Sequence, residues 1–172
     1  MSVTASLVVG CDGSTSKNGN SRELSTDEDR QRFLALHRCA GSIIIGTRTA
    51  LSDPYQKTAA PVYLFTRSAA REILVPSITM VTPSDDDLVK AVHDIEANTL
   101  GDVLVEAGPT LLTKLITLGL IEKLSLSITP IAGGENHIDI DALLKNFEIL
   151  SDVTKEGTRL LECRYQGDSS DS

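Results

Sequence analysis

The sequence predicts an α/β fold with a mostly parallel central sheet, flanking helices and an antiparallel hairpin at its C-terminal end. Three observations predict this fold. Short β-branched runs alternate with segments of helical period over residues 6–118, which is typical of parallel strands connected by helices. The runs at 42–46, 62–65 and 103–105 are apolar without interruption, as strands covered on both faces are. From residue 122 the period changes to two, which indicates antiparallel strands with one face in the core.

The first third of the chain contains a predicted strand, a long loop and a helix. Small and β-branched residues at Ser6–Val9 predict the strand, and turn residues over 10–19 predict the loop. Ser25 and Glu28 have the spacing of a capping box, in which the Ser25 hydroxyl caps a helix and Glu28 reaches back to it. We expect this helix to continue to about Ala40.

The middle third contains two buried strands, each followed by polar residues. The run Ser42–Gly46 is expected to be an interior strand, with Gly46-Thr47-Arg48-Thr49 as the loop after it. Val62–Phe65 repeats this arrangement and leads into Thr66-Arg67-Ser68. Ser84 then opens a helix whose first turn has three aspartates, which suits the helix dipole.

The last third begins with another buried strand at Val103–Val105. Glu106-Ala107-Gly108-Pro109 connects it to an apolar helix that Gly119 can end. Leucine, isoleucine and serine alternate over 124–128, which predicts a strand with one face in the core. Two strands at 147–153 and 158–165, joined by a turn at Glu156-Gly157, complete the sheet.

Length, charge and cysteine usage limit the possible functions. The 172 residues predict one domain over 1–166, with a disordered tail at 167–172. A formal net charge of −8 without a basic cluster argues against nucleic-acid binding, and no tryptophan is available for base stacking. The chain lacks an apolar run long enough to span a membrane. Three cysteines without a C-x-x-C pair favour a reducing, cytoplasmic location and give no zinc site.

The polar segments after the three buried strands are the candidate ligand site. Because parallel strands end at the same edge of a sheet, these segments should lie close together. Gly108-Pro109 before a helix suits a pyrophosphate, since glycine lets a ligand approach the backbone and the helix start favours an anion. An ordinary short connection explains the same residues equally well. Thr47 to Thr49 likewise suit a phosphate or form a solvated loop.

Motifs for common catalytic groups are missing from the sequence. It contains no G-x-G-x-x-G, no P-loop, no nucleophile elbow and no zinc deaminase signature. The three histidines are scattered, and His37 and Cys39 face different sides of the predicted helix, so no metal site is expected. The sequence therefore indicates chemistry carried by an organic cofactor, or no chemistry.

Several segments, in the same order along the chain, resemble the reductase domain of riboflavin biosynthesis. They are Cys11-Asp12-Gly13, Gly19-Asn20-Ser21, Leu24-Ser25, Leu36-His37-Arg38, the run Ile43 to Thr49, Asp53-Pro54, Val103 to Leu111, Gly119 to Glu122 and Ile128-Thr129-Pro130. The resemblance covers roughly residues 6–134. It implies a dihydrofolate reductase-like fold and the NADPH-dependent reduction of a ribosylaminopyrimidine to its ribityl product.

The same resemblance implies which residues contact each ligand. Arg67 is expected beside the 2′-phosphate of NADPH. The full set of expected cofactor contacts is Thr47, Thr49, Asp53, Thr66, Arg67, Ser68, Ala107, Gly108, Pro109, Thr110 and Leu111. The expected contacts to the pyrimidine substrate are Asp12, Ser21, His37, Arg38 and Glu106. A homodimer is also implied, and the apolar strands near the C-terminus are a candidate surface for it.

Three departures from the family pattern leave alternatives open. Ala107 stands where the family has a second glycine, either His37 or Arg38 occupies the position of an expected arginine, and Tyr55-Gln56-Lys57 follows Pro54 where another arginine is usual. One alternative is a dihydrofolate reductase, against which the absence of tryptophan counts. The other is a non-catalytic member that binds nucleotide or only dimerises.

Overall fold

The computed structural model describes residues 2–52, 58–68 and 77–167, with the side chains of residues 51 and 52 excepted. The strands are β1 (Val3–Gly10), β2 (Ala40–Gly46), β3 (Val62–Thr66), β4 (Ile78–Val81), β5 (Asp102–Glu106), β6 (Lys123–Thr129), β7 (Phe147–Lys155) and β8 (Thr158–Tyr165). The helices are α1 (Asp27–Cys39), α2 (Thr47–Ser52), α3 (Asp85–Ala97), α4 (Pro109–Thr117) and α5 (Ile140–Leu144).

Within the described residues, the eight strands form one sheet in the order β4-β3-β2-β5-β1-β6-β8-β7. The first six in this order run parallel, whereas β8 is antiparallel to β6 and β7 is antiparallel to β8. The predicted fold class is therefore confirmed. The predicted hairpin turn is also confirmed, because Glu156 and Gly157 both adopt positive φ between β7 and β8.

Strand β2 shows why its uninterrupted apolar run predicted an interior position. It lies between β3 and β5, and its three isoleucines are completely buried. Ile44 packs into the larger core, whereas Ile43 and Ile45 pack into a second core on the other face with Val62 and Leu64. Because successive side chains of a strand point to opposite faces of the sheet, the isoleucines of β2 contribute to both cores.

Helix α1 begins one residue later than the predicted capping box, so that prediction was wrong. Thr26 is the N-cap, and its hydroxyl accepts a hydrogen bond from the Asp29 N–H at 3.4 Å. The Ser25 hydroxyl instead donates to the Asp29 carboxylate at 2.5 Å. A tertiary contact explains the shift, because the Thr26 hydroxyl also hydrogen-bonds the Thr158 hydroxyl of β8 at 2.7 Å.

The predicted core face of β6 is confirmed, because Leu124 and Leu126 are completely buried in the larger core. Its other face is covered as well, since Ser125 and Ser127 are also completely buried. Arg32 of α1 reaches this face and donates to the Ser127 hydroxyl at 2.7 Å and to the Ser125 carbonyl at 2.9 Å. Serine is tolerated there because a partner satisfies each of these polar atoms.

The short elements were missed by the sequence analysis. Helix α2 occupies the segment that was expected to be a loop after Gly46, and β4 and α5 were not predicted. Each has six residues or fewer, which is too short to show a clear period. The predicted tail lies outside the described residues from residue 168 onward.

Two loops pack backbone to backbone beyond the ends of β1 and β6. Ser16 and Glu135 form a β-bridge between these loops. A Cβ added to Gly134 would lie 2.1 Å from the Ser16 carbonyl oxygen, so only glycine fits. This contact holds the two loops together as one wall of the site described next. No helix of the described ranges 2–52, 58–68 and 77–167 is long and apolar enough to cross a membrane.

Candidate active site

A cavity of about 880 Å³ lies between α1, the end of β5, the start of α2 and the two packed loops. Its volume is within the range of sites for small molecules and cofactors. Seven of the residues predicted for cofactor or substrate contact line it. They are Ser21, His37, Thr49, Glu106, Ala107, Gly108 and Pro109.

The structure brings Glu106 and His37 together at one side of the cavity. Glu106 is the last residue of β5 and is 6% exposed. His37 is in the last turn of α1, and its Nε2 forms a short hydrogen bond with Glu106 Oε1. Phe33, one turn earlier, stacks on the His37 ring with 4.2 Å between the ring centroids. Arg38 is exposed and lies outside the cavity lining, so His37 is the residue that α1 presents here.

The turn after β5 combines an open glycine with the start of a helix. Gly108 has an ordinary φ of −66°, and a Cβ added to it would meet no atom within 4 Å. Neither strain nor crowding among the described residues therefore requires glycine here. The first backbone hydrogen bond of α4 runs from the Leu112 N–H to the Gly108 carbonyl at 3.0 Å. The amides of Thr110 and Leu111 precede it and have no partner within the helix. An anion can bind to such amides.

The first turn of α4 also lies next to the end of β2. A Cβ added to Gly46 would lie 3.5 Å from the Leu111 side chain, so the two predicted phosphate segments are neighbours. Thr49 of α2 lines the cavity, whereas Thr47 does not. Ala107 is 7% exposed and packs into the larger core while lining the cavity, which leaves Gly108 as the open position of the turn.

The residues expected near the adenosine end are farther along the sheet edge. Thr66 is the last residue of β3, Arg67 and Ser68 follow it, and none of the three lines the cavity. The Thr66 hydroxyl donates to the Ser68 carbonyl at 2.9 Å, and Arg67 is exposed. Asp53, another predicted cofactor contact, lies outside the described residues.

Asp12 lies outside the cavity lining and holds the loops of its wall together. Its carboxylate accepts hydrogen bonds from the Ser14 hydroxyl at 2.6 Å and from the Gly133 N–H at 2.9 Å. The Ser14 hydroxyl, followed by the Gly133 and Ser14 amides, lowers the pKa of Asp12 far below its ordinary 3.8. The charged form is therefore the one that joins the loop at Asp12 to the loop at Gly133.

We expect Asp12→Asn to lower the unfolding temperature at pH 7. A carboxyl whose pKa is lower in the folded state stabilises the fold above its ordinary pKa and ceases to do so as the pH falls. The difference between the two proteins should consequently shrink once the pH falls below 3.8. Thermal unfolding followed by circular dichroism over pH 2.5–7 measures it, and a difference independent of pH would contradict the assignment.

Further charged residues line the cavity. Arg48 belongs to the segment Gly46 to Thr49 that the sequence analysis considered for phosphate binding, whereas Arg22, Arg30, Arg32, Asp29 and Glu135 were not selected. Among the described lining residues, four arginines therefore accompany three carboxylates, counting Glu106, although the chain has a net charge of −8. Arg48 donates to the Asn136 side chain at 3.2 Å, a contact between residues 88 positions apart that no local pattern could reveal. This local excess of cations suits an anionic ligand.

Comparisons with known proteins agree with this architecture. The pyrimidine reductase-like protein of Corynebacterium diphtheriae shares 15% identity over 97% of the chain and 92% of its own length, with a TM-score of 0.77. RibD of Acinetobacter baumannii shares 16% identity over 96% of the chain and 58% of its own, with a TM-score of 0.73. The diaminohydroxyphosphoribosylaminopyrimidine deaminase/5-amino-6-(5-phosphoribosylamino)uracil reductase of Thermotoga maritima shares 14% identity over 95% of the chain and 56% of its own, with a TM-score of 0.71.

The chain thus spans somewhat more than half the length of the last two proteins. Identities this low establish a common fold alone. The model of the RibD C-terminal domain family matches residues 1–147. A comparison with curated protein sequences gives no match.

Proposed function

Because the chain belongs to the RibD C-terminal domain family, we propose that it is an NADPH-dependent reductase of a ribosylaminopyrimidine, of the riboflavin pathway type. The observation that carries this proposal is one cavity lined by two different environments next to each other. The first, called the cofactor end below, is the open Gly108 at the start of α4, and the second, called the substrate end, is the buried Glu106 beside His37. A dinucleotide and a polar heterocycle need these two environments side by side.

The cofactor end fits a nicotinamide dinucleotide. The amides of Thr110 and Leu111 suit the pyrophosphate, and Gly108 lets it approach the backbone closely. Thr49 and the cationic lining add hydrogen-bond donors around it. When bound, NADPH supplies the hydride that reduces the substrate.

The substrate end supplies orientation. Glu106, His37 and Ser21 line it and offer a carboxylate, an imidazole and a hydroxyl to a polar heterocycle. The hydride adds to C1′ of an imine formed by the ring-opened ribose, and this reaction needs no protein nucleophile. These side chains therefore align the substrate, exclude water and stabilise the change in charge.

We expect Gly108→Ala to weaken NADPH binding about tenfold or more, because its methyl group enters the space that the pyrophosphate needs. The backbone at Gly108 accepts alanine without strain, so the unfolding temperature should stay unchanged. Fluorescence titration with NADPH and a parallel thermal melt measure the two quantities. Wild-type affinity in the variant would show that the pyrophosphate binds elsewhere.

We expect Arg67→Ala to reduce the preference for NADPH over NADH about tenfold, because a guanidinium that pairs with the 2′-phosphate is lost. The ratio of the two dissociation constants is the quantity to measure. Lys90→Ala, an exposed cation on α3, is the matched control. An unaltered ratio in the Arg67 variant would assign the 2′-phosphate to another residue.

Turnover decides among the reductase and its two alternatives. The assay follows NADPH oxidation with 5-amino-6-(5-phosphoribosylamino)uracil and separately with dihydrofolate. Oxidation with the first compound supports the proposal, and antifolate-sensitive oxidation with dihydrofolate supports a dihydrofolate reductase. Tight NADPH binding without oxidation by either supports a non-catalytic nucleotide-binding domain.

The proposal includes a homodimer formed through the C-terminal hairpin. Strand β7 lies at one edge of the sheet and exposes Ile149, Leu150 and Val153. Antiparallel pairing of β7 with its copy about a two-fold axis between Ser151 and Asp152 sets Leu150 opposite Val153. Analytical ultracentrifugation distinguishes this dimer from a monomer.

A further inference from the structure

Three side chains on one face of α1, Arg30, Phe33 and His37, contact one another in sequence, and the last contacts Glu106 in the cavity wall. The Arg30 guanidinium carbon lies 5.0 Å from the centre of the Phe33 ring, and Phe33 stacks on His37. His37 Nε2 then meets Glu106 Oε1. Residues 30, 33 and 37 share one face of the helix, because they are three and four positions apart. The helix therefore fixes the imidazole against the carboxylate from one side.

Both members of the His37 and Glu106 pair are nearly buried and reach the cavity. Their side chains are 15% and 7% exposed, and both line the cavity wall. The contact between His37 Nε2 and Glu106 Oε1 gives a path along which one proton can move between the two side chains.

The reaction in the proposed function requires such a proton. A hydride brings two electrons to C1′ and forms the new C–H bond. The π electrons of the C1′=N bond move to the nitrogen, which must gain a proton to become the amine. NADPH is oxidised and the imine is reduced, so one proton is needed for each hydride transferred.

We propose that His37 is a positioning residue that keeps a proton on the Glu106 side of the cavity, so that the pair supplies the proton to the reduced nitrogen. The His37 imidazolium passes its Nε2 proton to the Glu106 carboxylate, and Glu106 donates that one proton to the reduced nitrogen. His37 is left neutral and regains a proton from solvent after the product leaves. This inference rests on the proposed function for its substrate. Its first part, a shared proton between the two side chains, is independent of any substrate.

Most of the other charged groups of the cavity lining have their own interactions. Asp29 and Arg32 pair with each other at 3.0 Å, and Arg48 donates to Asn136. The Arg30 guanidinium lies over the Phe33 ring, and this ring lies between Arg30 and His37. The remaining two are Glu135, which accepts hydrogen bonds from Ser16 and Asn18, and the exposed Arg22.

The proposal depends on a histidine, and not an arginine, at position 37. Histidine gains and loses a proton near neutral pH, whereas arginine keeps its charge at all working pH values. His37 lines the cavity, while the neighbouring Arg38 is exposed and does not. His37 can therefore exchange a proton at this position, whereas an arginine there could only bind an anionic group.

The first experiment follows the imidazole signals of the ligand-free protein by NMR as the pH changes. We expect Glu106→Gln to move the titration of His37 to lower pH, because the carboxylate that favours its charged form is gone. His93, exposed on α3, is the internal control and should not change. An unaltered His37 titration would overturn the proposal even if the protein is an active reductase.

The second experiment compares kcat of wild type and His37→Gln from pH 5 to 8 with 5-amino-6-(5-phosphoribosylamino)uracil and NADPH. Glutamine can still donate to Glu106 but cannot store a proton. We expect kcat to fall about 100-fold at pH 7 with NADPH affinity unchanged, and the deficit to shrink toward pH 5, where protons from solvent are more abundant. A deficit that is constant across this range indicates a merely structural role and overturns the proposal. Absence of turnover in wild type instead refutes the proposed function, and the NMR titration still decides whether the proton is shared.

Discussion

Arg32→Ala is expected to lower the free energy of unfolding by about 3–5 kcal/mol, the usual cost of breaking a buried ion pair. The Arg32 side chain is 9% exposed and pairs with Asp29 at 3.0 Å. It also donates to Ser127 Oγ at 2.7 Å and to the Ser125 carbonyl at 2.9 Å. Alanine leaves the buried Asp29 carboxylate without its cation and removes the donor that joins α1 to β6. Urea unfolding measures the change.

Arg38→Ala is the matched control for this experiment. Arg38 is exposed on the same helix, so its loss should change stability by no more than about 0.5 kcal/mol. The double variant Arg32→Met with Asp29→Leu should recover much of the lost stability, because it removes both buried charges together. A loss below about 1 kcal/mol in Arg32→Ala would show that the ion pair does not hold α1 on the sheet.

Glu106→Gln is expected to lower kcat about 100-fold or more, which is the usual contribution of a positioned acid. Glutamine has the shape of glutamate but cannot release a proton to the reduced nitrogen. NADPH binding should remain within about twofold, since the amides proposed to hold the pyrophosphate belong to α4. Single-turnover oxidation of NADPH with the pyrimidine substrate measures the chemical step.

Asp94→Asn provides the matched carboxylate-to-amide control. Asp94 is exposed on α3 and lies outside the cavity lining, so its replacement should leave the rate of turnover unchanged. Near-wild-type turnover in Glu106→Gln would remove Glu106 from the reaction. The family membership would then stand, while the assignment of the substrate end would need another residue.

Long elements with a clear period were predictable from the sequence. The isoleucine run of β2, the Ser84 cap of α3 and the Gly108-Pro109 entry into α4 each rest on neighbouring residues, and each was found at its expected place. A polar N-cap for α1 was predictable in kind, but its position was wrong by one residue. Thr26 became the cap because it also contacts Thr158, which is 132 positions away.

The candidate site was predictable only in part, for the same reason. Gly108 and Thr49 follow strands of a parallel sheet, so their segments had to meet at one edge. Choosing His37 over Arg38 required the actual rotation of α1 about its axis. Arg48 belonged to a segment already considered for phosphate binding, whereas Arg22, Arg30 and Arg32 carried no local signal. Arg32 had no pattern pointing to β6, although it makes the contacts that hold the helix there.

By itself, the sequence determined the α/β class, the order of the main strands and helices and the glycine turn at the start of α4, because these depend on contacts between near neighbours. The tertiary structure alone decided which polar side chains meet. His37 and Glu106 are 69 positions apart, and Arg32 and Ser127 are 95 apart. Such pairs form only when packing of the apolar faces has set the angle and rotation of α1 on the sheet, and no local periodicity contains that information.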